Sequence, residues 1–232
     1  MADNKPNTKQ AAAAKNQDFD LQATADRAQD FYTKNKNVIN IAVLAVVVIV
    51  GGYFGYNRFV KAPNEKKAQE SIFWAQNNFA VDSFRLALNG DGNNYGFLQV
   101  IDKYGGTKAG NLAKYSAGVC YVKMGEYQKG IDLLKSFSSD DLVVKSMADG
   151  LIGDAYMELN KADEAVSYYK KASADDNELL SPMYLFRAGL ALEKSNKMQD
   201  AIAIYEQIKQ KYPQSAEGGQ MDKYLARLGV VK

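Results

Sequence analysis

Three stretches in the C-terminal half of the chain repeat one spacing of small and aromatic residues. Ala117-Gly118-x2-Tyr121 leads to Gly130, Leu134 and Phe137. Ile152-Gly153-x2-Tyr156 leads to Ala165, Tyr169 and Ala172. Ala188-Gly189-x2-Leu192 leads to Ala201, Tyr205 and Ile208, with Pro213 closing the unit. The three leading glycines stand 35 and 36 residues apart, and the later members keep those offsets. Such a period restricts the fold sharply: each unit is too small to bury its own apolar face and must stack on its neighbours. Glycine inside a helix costs about 1 kcal/mol against alanine. Three at one phase therefore imply a steric need, with the second helix of each pair crossing close to the backbone. Gly130, Ala165 and Ala201 play the matching part in the second helix, since overpacking there costs about 1–3 kcal/mol. Tyr121, Tyr156, Tyr169 and Tyr205 are expected to fill the space between pairs. The expected class is all-α, an α-solenoid of helix pairs.

Ahead of the repeats, residues 38–56 form an apolar run without a charge. As a helix it spans roughly 28 Å, close to the hydrocarbon thickness of a bilayer. Asn40 lies near one end; Tyr53, Phe54 and Tyr56 lie at the other, as an interfacial aromatic belt would. A buried core helix rarely shows so long a β-branched run. A cleaved signal peptide has a short basic leader and a small-residue cleavage site, whereas 37 residues precede this run and no A-x-A pattern follows. The reading is a retained transmembrane helix at 38–57. Basic residues flank it on both sides (Arg27, Lys34 and Lys36; Arg58, Lys61, Lys66 and Lys67), so charge alone does not orient it.

The rest divides around these two features. Residues 1–37 are a polar tail, expected to be irregular to about residue 16 and loosely helical from 17 to 36. A linker at 58–64 is expected, broken by Pro63. The repeat domain runs from 65 to 232. It opens with a degenerate first repeat at 65–104, where Ile72, Phe73, Ala75, Phe79 and Ala80 give an apolar helical face. Phe84, Ala87 and Leu88 follow, then the turn cluster 89–94 and a short helix through Phe97, Leu98, Val100 and Ile101. Terminal repeats are commonly atypical because one face lacks a neighbour. Thr107 is the expected N-cap of the next helix. Repeats at about 108–137, 146–177 and 182–213 come next, divided internally at Gly125, Asn160 and Ser195-Asn196. Ser181-Pro182 is expected to start the third as N-cap and first-turn proline. A capping helix at 215–228, begun by Ser215, presents Met221, Tyr224, Leu225 and Leu228.

These residues resemble tetratricopeptide repeats, whose pattern is W-x2-L-G-x2-Y…A-x3-F…P. Ile152-Gly153-x2-Tyr156…Ala165-x3-Tyr169 and Gly189…Ala201-x3-Tyr205…Pro213 carry the match. Gly130 and Leu134 depart from it, and no unit has the leading tryptophan; Trp74 lies in the capping segment. A tail, one membrane helix and a compact repeat domain together look like the YfgM-type family. That resemblance implies a cytoplasmic tail and a periplasmic repeat domain anchored in a bacterial inner membrane. It also implies an ancillary role beside the SecYEG translocon and periplasmic chaperones.

In such arrays the first helix of each pair lines a peptide-binding groove. The helical phase away from the packed side gives Tyr115, Val119, Val122, Asp154, Met157, Phe186, Leu190 and Glu193 as candidates. Asp140-Asp141 and Asp175-Asp176 read as solvated loop charge rather than metal ligands. Cys120, the one cysteine, reads as a small core residue. The 29 basic and 27 acidic residues leave no surplus to suggest nucleic-acid binding. The absence of histidine excludes Ser-His-Asp and Cys-His catalysis and the common His-bearing zinc sites. No G-x4-G-K-[ST] loop appears. The expected function is a non-catalytic membrane-anchored adaptor with no cofactor and no small-molecule substrate. The alternative is a scaffold for another envelope machine, in outer-membrane assembly or cell division.

Overall fold

The computed structural model describes residues 8–230, with side-chain surroundings from residue 24. The expected irregular start at residues 1–7, and residues 231–232, lie outside the described residues. The chain divides into two compact units, Met1–Val60 and Lys61–Lys232.

The first unit is built on helix α1, Thr8–Tyr56. It begins inside the stretch expected to be irregular. Ala11–Ala14 explains the difference, since alanine has the highest helix propensity and here outweighs the polar residues around it. The described apolar run is solvent-exposed along its length, with Ile49 at 70% and Val47 at 60%. Among the described residues, one helix is long and apolar enough to cross a membrane.

The expected linker is also helical. A π-helical turn at Asn57–Lys61 is followed by α2, Ala62–Ala80. Pro63 does not interrupt it, because it falls in the first turn, beside a widened turn that tolerates the missing N–H.

The second unit, among the described residues, is wholly helical: α2, α3 (Phe84–Asn89), α4 (Phe97–Tyr104), α5 (Lys108–Lys123), α6 (Tyr127–Ser136), α7 (Leu142–Glu158), α8 (Ala162–Ala172), α9 (Leu180–Lys194), α10 (Met198–Lys211) and α11 (Met221–Arg227). Most pack chiefly on their neighbours in sequence, while α2 also lies against α4 and α5, and α3 against α5. The pairs α5/α6, α7/α8 and α9/α10 are the three repeats; α2–α4 and α11 close the ends.

Two apolar cores run through this unit. Ile72, Leu88, Phe97, Val100, Ala117 and Cys120 belong to the core that joins α2–α4 to α5. Ile131, Leu134, Ile152, Tyr169, Tyr205 and Met221 belong to the core that continues to α11. On α2 the buried positions are Ala68, Ile72 and Ala75. Phe73 and Ala80, expected on that face, are exposed instead; Phe79 is half-buried.

The helical glycines make room for specific side chains. A Cβ on Gly153 would stand 2.6 Å from Cε1 of Tyr169, and one on Gly189 2.3 Å from Cε1 of Tyr205. In the first repeat, Gly118 faces Leu134 in the same way, at 2.7 Å. Tyr169 and Tyr205 therefore lie within their pairs rather than between them.

The helix ends repeat one device. Gly125, Asn160 and Asn196 are left-handed, with φ of 78°, 56° and 58°. After each, an N–H reaches back to a carbonyl five residues earlier: Glu126 to Tyr121, Lys161 to Tyr156 and Lys197 to Leu192, all at 2.9 Å. This is the Schellman closure. Asp82 ends α2 with the same bond, Ser83 N–H to Asn78 at 2.9 Å.

Helix starts agree with expectation at Thr107, whose Oγ1 accepts from Gly110 N–H at 2.9 Å. Glu65 of α2 adds a second cap to α5, accepting from the N–H groups of Lys108 and Ala109 at 2.9 and 3.2 Å. Thr107→Ala should cost about 1 kcal/mol, read as an earlier midpoint in urea denaturation.

Three acidic residues read as solvated charge are structural. Asp141 caps α7, accepting from Val143 and Val144 N–H at 2.9 and 3.2 Å, which starts that helix ahead of residue 146. Asp176 accepts from the Tyr212 hydroxyl and pairs with Lys211 at 2.7 Å. Asp175 accepts from Ser146 at 3.4 Å. Ser181 is likewise not the cap of α9. Asn177 takes that part, accepting from Leu179 and Leu180 N–H at 2.9 Å, and Ser181 is buried inside the helix. Ser215 accepts from Gly218 N–H at 2.9 Å, but the closing helix expected to start there begins at Met221, after a 3-10 turn at Gly218–Gln220.

Cys120 is fully buried, and burial pushes its thiol up to about 12. It should resist maleimide in mildly alkaline solution and react fully once the fold is lost in denaturant. Rapid labelling of the native chain would contradict the burial.

Candidate protein-binding face

The first helices α5, α7 and α9 carry the eight candidate residues, which the structure sorts into different surroundings. Val119 is buried. Val122 and Met157 are half-buried against the core. Tyr115 leans on Phe137, ring centres 5.2 Å apart. Phe186 packs on Tyr224 at 4.9 Å and on Tyr205 at 6.1 Å. These five act first as packing, within and between repeats. Leu190 is open, at 38% exposure.

Asp154 and Glu193 form two clasps of one design. Asp154 accepts from the Tyr169 hydroxyl at 2.7 Å and holds Nη1 of Arg187 through both oxygens, at 2.6 and 2.7 Å. Glu193 accepts from the Tyr205 hydroxyl at 2.5 Å and holds Nη2 of Arg227 at 2.6 and 2.7 Å. Each clasp ties a carboxylate to the tyrosine of its own pair and to an arginine of the next first-position helix. Burial, then the neighbouring carboxylate, raises both tyrosine hydroxyls well above their ordinary value, so they stay protonated donors. These carboxylates are already engaged, and a partner would have to displace an arginine to use them. In the first repeat the corresponding places carry Val119, Val122 and Leu134, and the link is apolar.

A different set of side chains is open. Leu112 and Met147 are 40% and 41% exposed, Val143 44% and Leu179 77%. Leu112 and Met147 stand six residues before Gly118 and Gly153, and Met183 six before Gly189. Val143 and Leu179 stand ten before their glycines, and Leu190 one after. At 100° per residue these phases lie within about 40° of one another, although Val119 at the same phase is buried and Met183 is half-buried against the core. The repeats thus present an apolar stripe across α5, α7 and α9. Of this set the expected candidates include Leu190 alone; Leu112, Val143, Met147 and Leu179 lie about a turn or more nearer the helix starts than the expected residues of the same helices.

The remaining chemistry is sparse. Among the described residues no three His, Cys, Asp or Glu side chains gather as a metal site, and Cys120 is free. Comparison with curated proteins returns no match. The family model described as tetratricopeptide repeat matches residues 151–216, which hold α8, α9, α10 and the C-terminal part of α7. The matched stretch is the one in which Tyr169 and Tyr205 fill the glycine notches; the first repeat, with Leu134 in that place, lies outside it. The array is a tetratricopeptide-like helical solenoid, a scaffold suited to protein–protein contact.

Proposed function

We propose that the protein is a membrane-anchored adaptor whose repeat array holds apolar segments of partner proteins. The observation that carries this is the apolar stripe of Leu112, Val143, Met147, Leu179 and Leu190, exposed at matching repeat phases on one chain with a bilayer-length apolar helix. Monomeric surfaces seldom keep contiguous apolar area without a use. The resemblance to YfgM-type proteins suggests the setting: an inner-membrane anchor with the tail in the cytoplasm and the array in the periplasm. The partners would then be the SecYEG translocon and periplasmic chaperones. Scaffolding of another envelope machine is the competing assignment.

Photo-crosslinkers placed at Met147 and at Leu190 test the reading, with Gln207 on α10 as the control position. Adducts with translocon or chaperone subunits from the stripe, and none from Gln207, are the expected result. Adducts with cell-wall or outer-membrane assembly components alone would discard the translocon assignment. Equal yields from all three positions would discard the stripe. The side of the membrane is read separately, by Gln207→Cys in a Cys120→Ala background with an impermeant maleimide on spheroplasts. Labelling before lysis is expected; labelling only after lysis would place the array in the cytoplasm.

A further inference from the structure

Several lysines of the array carry their own carboxylate. Lys129 sits on Glu126, Lys197 on Asp163, Lys209 on Asp222 and Lys211 on Asp176, at 2.5 to 2.7 Å. Others have no ion pair among the described residues, and one crevice gathers three lysines. Between α6, α7 and α8 a cleft of about 300 Å³ is rimmed by Lys135, Lys145 and Lys171, above a floor that includes Leu134, Ile152 and Tyr168. The one carboxylate in its lining is Asp149, which is buried and holds Lys171 at 2.8 Å. Lys135 donates to the Tyr156 hydroxyl at 2.8 Å, a neutral partner. Lys135 and Lys171 each stand 5.5 Å from the centre of the Tyr168 ring, so two like charges converge on one aromatic side chain. Lys145 has no carboxylate within 4.0 Å among the described residues.

Three ammonium groups against one carboxylate, in a concave and half-apolar site, make a positive potential that an anion would relieve. The arrangement is peculiar to this junction. One repeat on, Lys145, Asp149 and Lys171 are replaced by Ser181, Leu185 and Gln207. It is also distinct from the apolar stripe. Lys145 and Asp149 stand eight and four residues before Gly153, roughly 140–180° around α7 from the stripe.

We infer that this crevice is a binding site for a small amphipathic carboxylate. The apolar body lies on Leu134, Ile152 and Tyr168, and the carboxylate is held by Lys135 and Lys145. The volume, at the lower edge of the range for ligand pockets, suits a small ligand. The lining holds no arginine to give the forked recognition that favours phosphate. Asp149 already takes Lys171, which leaves the Lys135 and Lys145 ammonium groups, one for each oxygen of a single carboxylate.

The test titrates the full chain in lipid nanodiscs with phenylbutyrate, followed by saturation-transfer NMR. Phenylbutanol is the neutral control, and empty nanodiscs correct for partition. Saturable binding of the carboxylate is expected, weaker by roughly tenfold or more in Lys145→Met and in Lys135→Met, as for the loss of one charge-assisted hydrogen bond. Lys209→Met, on α10, should bind as the parent does. The three rim lysines are exposed, so their removal does not threaten the core. Equal binding of the alcohol would overturn the inference. So would unchanged affinity in both rim variants, stronger competition by inorganic phosphate than by acetate, or no saturation above the empty-disc level.

Discussion

Tyr205→Ala is expected to destabilise the array by about 3–5 kcal/mol, the range for emptying a large buried aromatic site. The ring is fully buried, rests in the notch left by Gly189, and touches Phe186 and Tyr224. The change also strips Glu193 of its hydroxyl donor. Tyr205→Leu should cost clearly less, because Leu134 occupies the same place against Gly118 in the first repeat. Gly189→Leu attacks the notch from the other side. The gain in helix propensity is about 1 kcal/mol. The clash of a Cβ at 2.3 Å from a ring that cannot retreat costs about 1–3 kcal/mol and sets the sign. Urea denaturation followed by far-ultraviolet circular dichroism, on the chain in detergent, measures all three. A Tyr205→Leu midpoint as low as that of Tyr205→Ala would show that the notch is not shape-specific.

The second large effect concerns the apolar helix. Val46→Lys combined with Ile49→Lys places two charges near the middle of the run. Each costs about 2.5–3.5 kcal/mol at a bilayer centre, too deep for both to reach the interface by bending. If the helix is the anchor, the doubly substituted chain leaves the membrane fraction on alkaline carbonate extraction while the parent stays. Retention of both would mean that another part of the chain holds the membrane. Substitutions at Lys34 and Arg58, at the edges of the run, should change extraction little.

Much of the helical order was legible because glycine and asparagine act through the backbone. Gly125, Asn160 and Asn196 end helices in the sequence pattern and in the structure for one reason, the left-handed residue that a Schellman closure needs. The capping segment was legible as a helix but not in its facing: periodicity cannot tell Phe73, which is exposed, from Ile72, which is buried, when both flank one apolar arc. The acidic loop residues show a different failure. Asp141 and Asp176 look alike in sequence, yet one caps its own helix and the other binds Tyr212 of the following repeat. The second bond is a tertiary fact that no local pattern contains. The same holds for Asp154 and Glu193. Their helical phase pointed outward, whereas arginines one repeat further on draw them into ion pairs.

The tendency of the helices to pack on their sequence neighbours bears on how the chain is made. The wider pairings, such as α2 and α3 with α5, reach back to segments already synthesised. Chains rich in such local contacts fold quickly, and they do so in the order of synthesis. Each helix pair can therefore close as it emerges from the ribosome or from a membrane pore. α2–α4 would be in place first, as a template for α5, and every later pair would meet a finished surface.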